Sequence, residues 1–188
     1  KNETEYALTL LEMFTHLHDS HINIVGKTMG NFFGRARPPF LCSMIEGKPV
    51  IYRILDPKVK KKGTIMVGDI ILKMDGQDIF ERINQYTKFL PASTPQAKMW
   101  TVFFYLFLGP ENSTLTLSVR GSNEQIRVVK LTRKRAHMWK SWDYREGDIY
   151  KFISKDIGYA DLHRLQRIKV DEMYEKFKNT KAIIFDLR

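Results

Sequence analysis

Three observations predict an α+β chain. Apolar residues recur at helical spacing near the N-terminus, at Ala7, Leu10, Leu11, Phe14 and Leu17. Turn signals at Gly47, Asp75-Gly76 and Gly121-Ser122-Asn123 then separate short apolar stretches that read as hairpins. The last fifty or so residues read strand, strand, helix, strand. With 43% hydrophobic and 12% aromatic residues in a length of 188, the chain can bury a substantial core, and disorder is not the expectation. We divide it into a helical segment over residues 1–36, a β-rich domain over 37–134, and the beginning of a second β-rich body over 135–188.

Asn2 followed by Glu5 fits a capping box, so the first helix starts there and runs to about His18. Residues 26–39 are rich in Gly and Arg and end in Pro38-Pro39, which predicts an extended linker. Strands follow at 40–45 and 50–55, joined at Gly47, and the lysines from Lys58 to Lys62 read as a solvated loop. Asp75-Gly76 suits a two-residue turn between apolar stretches, and a short helix carrying Ile79, Ile83, Tyr86 and Leu90 comes next. Thr94 as N-cap and Pro95 at the first helical position predict a helix over 96–108, with its aromatics in the core. Leu115, Leu117 and Val119 alternate before the turn at 121–123, and the return strand covers 125–131. Beyond it we expect strands at 150–153 and 157–162, a helix over 167–179, and a buried parallel strand over 181–187.

The formal charge of +10 permits acidic partners. Much of the excess lies in residues 58–62 and 127–140. Trp139, Trp142 and Tyr144 beside the second run could stack on bases, but no nucleic-acid-binding motif accompanies them, and nucleic acid ranks last among the partners considered. One cysteine, Cys42, excludes an intrachain disulfide and a cysteine-cluster zinc site. The apolar run at 100–108 is too short to span a bilayer. Lys1 leads directly into the helix, so the natural N-terminus is expected to lie upstream or to have been removed.

The densest chemistry is the tetrapeptide His18-Asp19-Ser20-His21, a carboxylate, a hydroxyl and two imidazoles on the exit turn of the first helix. Such groups can move protons near neutral pH. The bland alternative is a helix C-terminal turn in which Asp19 and Ser20 satisfy backbone groups and His21 complements the dipole. His16, His18 and His21 lack a carboxylate motif that would make them a metal site, and neither a metal nor another cofactor is expected. Gly158-Tyr159 marks close packing of a strand rather than chemistry.

Five landmarks in order carry a family resemblance: Asp19-Ser20-His21; residues 67–71 with Asp75-Gly76; 106–109 with 115–120; 157–162; and the closing 183–188. Together they resemble the C-terminal processing, or tail-specific, serine peptidases and their tricorn-core relatives. The resemblance implies an N-terminal helix, a PDZ-like domain over 37–134 and the start of a crotonase/Clp-like peptidase core over 135–188. It further implies a serine endopeptidase that binds and cleaves polypeptides near their C-termini, with His21 as general base, Ser20 orienting or polarising the site and Asp19 able to hold the imidazole. The family's nucleophilic serine follows the strand ending in Asp186-Leu187-Arg188, so this chain is expected to stop before it and to be inactive by itself. A setting in the cell envelope or outside the cell is implied in the same way. In such enzymes the PDZ-like part takes an extended segment by strand addition. Arg37, Phe40, Leu41, Cys42 and Ser43 are the candidate substrate-binding residues, facing the helix near 79–86, with Arg37 attracting a carboxylate. A peptide-binding module without proteolysis is the alternative. Oligomeric state is left open.

Overall fold

The computed structural model describes residues 2–140 and 146–187, and the chain divides into two compact units, Lys1–Asp143 and Tyr144–Arg188. Trp142, Tyr144 and Arg188 lie outside the described residues, as does the side chain of Trp139.

The first unit opens with α1 (Glu3–Thr15), started by the expected capping box: the Asn2 side chain accepts the Glu5 N–H at 2.9 Å, and Glu5 accepts the Asn2 N–H at 3.2 Å. Residues 27–33 form a second helix, α2 (Lys27–Phe33), where an extended linker was expected. The apolar content decides this. Met29 and Phe33 are buried at i, i+4 spacing in the same core as Ala7 and Leu11 of α1, and that burial outweighs Gly30.

Gly34 ends α2 at φ 91° and brings the chain against a second glycine. A Cβ on Gly34 would lie 2.2 Å from the Cα of Gly109, and the Arg35 and Ala36 N–H groups both donate to the Gly109 carbonyl at 3.1 Å. Two backbones meet here at a distance that excludes side chains.

Strands β1 (Phe40–Ile45) and β2 (Lys48–Ile54) form the expected hairpin, with a bulge at Leu41/Cys42. The lysine run is a short helix, α3 (Pro57–Lys62), rather than a loop. Its local signals are strong: the Asp56 side chain accepts the Lys58 N–H at 2.9 Å, Pro57 takes the first position, and Gly63 ends it at φ 63°. Strands β3 (Ile70–Met74) and β4 (Gln77–Asp78) flank Asp75 and Gly76, whose φ values of 48° and 85° are what a type I′ turn needs. Helices α4 (Ile79–Thr87) and α5 (Pro95–Leu106) follow, the second capped by Thr94. Strands β5 (Thr114–Arg120) and β6 (Ile126–Thr132) and a short α6 (Ala136–Lys140) complete the unit.

The antiparallel sheet runs β1-β2-β3-β5-β6, with β4 on β3. Its inner face carries Ile51, Ile71, Leu115, Leu117 and Val119, all fully buried, and α1, α2, α4 and α5 supply the opposing layer of the core. Helix α5 lies against β1, and α4 against β3.

The second unit has a three-stranded sheet, β7 (Tyr150–Ser154), β8 (Ile157–Asp161) and β9 (Ala182–Asp186), with a 3₁₀ turn (Arg167–Lys169) and α7 (Val170–Phe177) between β8 and β9. Strand β9 is parallel to β8, as the strand-helix-strand order requires. It is not buried as expected, however: of its five residues only Asp186 is buried, and Phe185 is 52% exposed. Gly158 does mark close packing, since a Cβ there would stand 2.8 Å from the Phe177 ring.

Candidate functional site

Helix α1 ends at Thr15, and His18 turns the chain at φ 51°, so Asp19, Ser20 and His21 sit on a turn beyond the helix. Asp19 Oδ1 accepts both the His21 backbone N–H at 2.9 Å and a bond from the imidazole Nδ1 at 3.0 Å. A carboxylate only accepts, so Nδ1 carries a proton, and in the neutral ring Nε2 then presents the lone pair. The two His21 bonds, backbone first and side chain second, hold the Asp19 carboxyl below its ordinary value. An acidic group thus orients an imidazole with its basic nitrogen outward, as in a Ser-His-Asp arrangement. The His21 side chain is 95% exposed, so the dyad stands in solvent.

Ser20 is not bonded to the imidazole. Its N–H donates to Ser93 Oγ at 3.0 Å, its Oγ accepts the Ser93 N–H at 2.8 Å, and the two hydroxyls are 3.1 Å apart. The hydroxyl of Ser20, expected to orient or polarise the site, bonds to Ser93 and not directly to His21. Ser93, which sits in no Gly-x-Ser-like elbow, is the residue that meets it. Among the described residues no three His, Cys, Asp or Glu side chains converge into a metal-ligating group.

The substrate-binding candidates are placed differently from expectation. Arg37 is 4% exposed, and its Nη2 donates to the Phe104 carbonyl at 3.1 Å while its guanidinium lies 4.8 Å from the Phe104 ring centre. Burial lowers its pKa to about 10. It therefore serves the last turn of α5, a helix with no basic residue of its own there, rather than standing ready for an incoming carboxylate. Arg133 does the same one turn on, donating from Nε to the Phe107 carbonyl at 2.9 Å. Phe40, Leu41 and Cys42 are also buried, the Cys42 thiol raised far above its usual pKa by desolvation.

Strand β1 is an edge strand, with no partner beyond it among the described residues. The part of that edge reachable without rearrangement is Ser43, Met44 and Ile45. The helix beside it is α5, not the helix at 79–86, which packs on β3. Trp100 of α5, expected in the core, is 66% exposed and stacks on Phe104 with ring centres 5.8 Å apart.

The basic segment at 127–134 is largely engaged in structure: Arg127 pairs with the buried Asp69, and Arg133 is buried. In the second unit an open cavity of about 590 Å³ is lined by Glu146, Asp148, Lys151, Phe152, Tyr159 and Arg164. Tyr159 donates to Asp186 at 2.8 Å, and Arg164 pairs with the buried Asp161 at 2.7 Å.

No protein-family profile matches the sequence, and no curated protein does either. Solved structures do. The chain is α+β, and its likeness to them is one of fold at low identity. Mature CPAF is similar at 15% identity over 97% of this chain and 45% of its own, with a TM-score of 0.56. The PDZ domain of a carboxy-terminal protease from Vibrio cholerae, solved in complex with peptide, matches at 18% identity over 53% of this chain and 93% of its own, TM-score 0.35. The photosystem II D1 C-terminal processing protease matches at 15% identity over 68% and 32%, TM-score 0.37. The likeness to mature CPAF covers nearly the whole chain and is one of fold; the chain spans less than half of that protein's length.

Proposed function

We propose that this chain is the general-base and peptide-binding part of an exported or envelope-associated serine endopeptidase that cleaves polypeptides near their C-termini. The observation that carries this reading is the Asp19-held imidazole of His21, its Nε2 directed outward, in the same compact unit as the unpaired β1 edge. His21 would take the proton from a serine hydroxyl, and Asp19 would stabilise the imidazolium that forms. The nucleophile belongs, in this reading, to a serine outside these 188 residues. The first unit is the PDZ-like domain preceded by its helical segment, and the second unit begins the peptidase core. The chain's likeness to mature CPAF supports the arrangement at the level of fold.

A peptide would add as a strand along β1, beginning at Ser43, Met44 and Ile45, with α5 packed against the same strand. The test has two arms. Titration of the chain with unstructured peptides is expected to shift the backbone amide signals of residues 43–45, and unchanged signals would end the peptide-binding half. In the longest natural product of the gene, His21→Ala is expected to abolish cleavage while leaving those shifts intact. Cleavage that survives His21→Ala would remove the base from this proposal.

A non-catalytic peptide-binding module is the second reading. What favours it is that the hydroxyls meeting at this turn, Ser20 and Ser93, are bonded to each other and not to the imidazole. Peptide-dependent shifts at β1 together with a natural product devoid of peptidase activity are its expected signature.

A further inference from the structure

We propose that Ser93 is a positioning residue for the His21–Asp19 dyad, holding it from the N-terminal side of α5. The Ser20 and Ser93 groups, 73 positions apart, close a reciprocal pair in which each N–H donates to the other's Oγ and one hydroxyl donates to the other. Among the described residues, no backbone–backbone hydrogen bond links residues 18–25 to the rest of the unit. That segment is tied to the rest of the unit by the Ser20–Ser93 pair and by Ile24, which packs against the core. Ser93 is itself fixed, because the next residue, Thr94, caps α5 by accepting the Ala97 N–H at 3.1 Å.

The consequence follows from where Ser20 sits. The Asp19 carboxylate accepts from both the backbone and the ring of His21, and those two bonds form together only while the backbone of the intervening residue keeps one conformation. Local Asx bonding alone competes with other turn conformations in an exposed segment. The bonds to Ser93 remove that competition, and so fix which ring nitrogen carries the proton. Ser93 does this without touching the imidazole.

This rests on the functional reading only for its consequence in catalysis; the positioning itself is measured on the chain without substrate. Nitrogen-15 spectra at alkaline pH report the His21 tautomer, since a protonated and a lone-pair nitrogen resonate far apart and the separation shrinks as tautomers average. In the unaltered chain Nδ1–H is expected to dominate. Ser93→Ala is expected to lower the Nδ1–H to Nε2–H ratio about fivefold, the population change that one hydrogen bond's net stabilisation supports. Ser93→Thr, which keeps the hydroxyl, is expected to restore it, and Ser20→Ala to reproduce the loss from the other side. An unaltered chain with no tautomer preference, a Ser93→Ala chain with the ratio unchanged, or equal losses in Ser93→Ala and Ser93→Thr would each overturn the assignment. A fixed tautomer in a natural product without peptidase activity would leave the positioning role standing and end the peptidase reading alone.

Discussion

The two units bury apolar surface in very different amounts. In the first, 22 hydrophobic side chains form one continuous buried cluster between the sheet and four helices. In the second, the buried cluster is Ala160, Met173 and Phe177, while Phe152, Ile153, Ile184 and Phe185 stand on the surface of a three-stranded sheet. A unit of about 45 residues with so small a core lies in the size range where folding alone is marginal. The difference teaches that the first unit closes on a core of its own, whereas the second, among its described residues, leaves much of its sheet's apolar surface outside its small buried cluster.

The sharpest way to break the first half of that comparison is at Gly34. Alanine there meets the Gly109 backbone at 2.2 Å and must also adopt φ 91°, so neither rotamer change nor side-chain movement relieves it. Gly34→Ala is expected to cost about 3 kcal/mol or more in urea-induced unfolding of the first unit. A cost below 1 kcal/mol, roughly that of an ordinary surface change, would show that the α2 exit is not locked to the end of α5.

The second half is tested at Gly158. Its added methyl would press on Phe177, which is most of the small core available, and an overpacked site of this kind loses about 1–3 kcal/mol. The expected result of Gly158→Ala is faster amide hydrogen exchange in β7, β8 and β9, with β5 and β6 unchanged. Equal acceleration in both sheets would mean the two units open together and the comparison fails.

Arg133 offers a smaller test within the first unit. It is buried, its charged form is disfavoured by burial, and it serves the Phe107 and Thr114 carbonyls and the Ser113 hydroxyl. Arg133→Met keeps the volume and strands those acceptors, so a loss of about 1–2 kcal/mol is expected in the same urea titration.

These arginines show where reading the sequence reaches its limit. Features written in adjacent residues were legible: the Asn2/Glu5 capping box, the Asp75-Gly76 turn, the Thr94-Pro95 helix start, and the parallel closing strand. Helix α3 was legible in principle, through Asp56-Pro57 before it and Gly63 after it, but the lysine run drew attention to charge instead. Helix α2 was obscured by Gly, Arg and Pro around a short apolar set whose burial depends on α1 and on the sheet. The partners of Arg37 and Ser20 were hidden for a common reason. Each finds its partner 67 or 73 positions away, and nothing local says that Phe104 offers a carbonyl or Ser93 a hydroxyl. At the candidate site the sequence yielded the Asp19–His21 pair, which is local, and not the contact that anchors it.

The smallest effect expected is an acid transition at that pair, and its sign is set by the direction of the Asp19 shift. Hydrogen bonds from His21 favour the ionised carboxylate, so the folded-state value lies below the ordinary 3.8. A group with a depressed folded-state value contributes its stabilisation above the unfolded value and loses it as pH falls through the folded one. The Asp19 side-chain carboxyl carbon signal should therefore move with a midpoint below 3.8. Asp19→Asn should remove that transition while leaving the β5 and β6 signals where they are, because no residue of the turn belongs to the buried core. A midpoint at or above 3.8 would show that the carboxylate is not held by His21, and with it the outward-facing Nε2 would lose its physical basis.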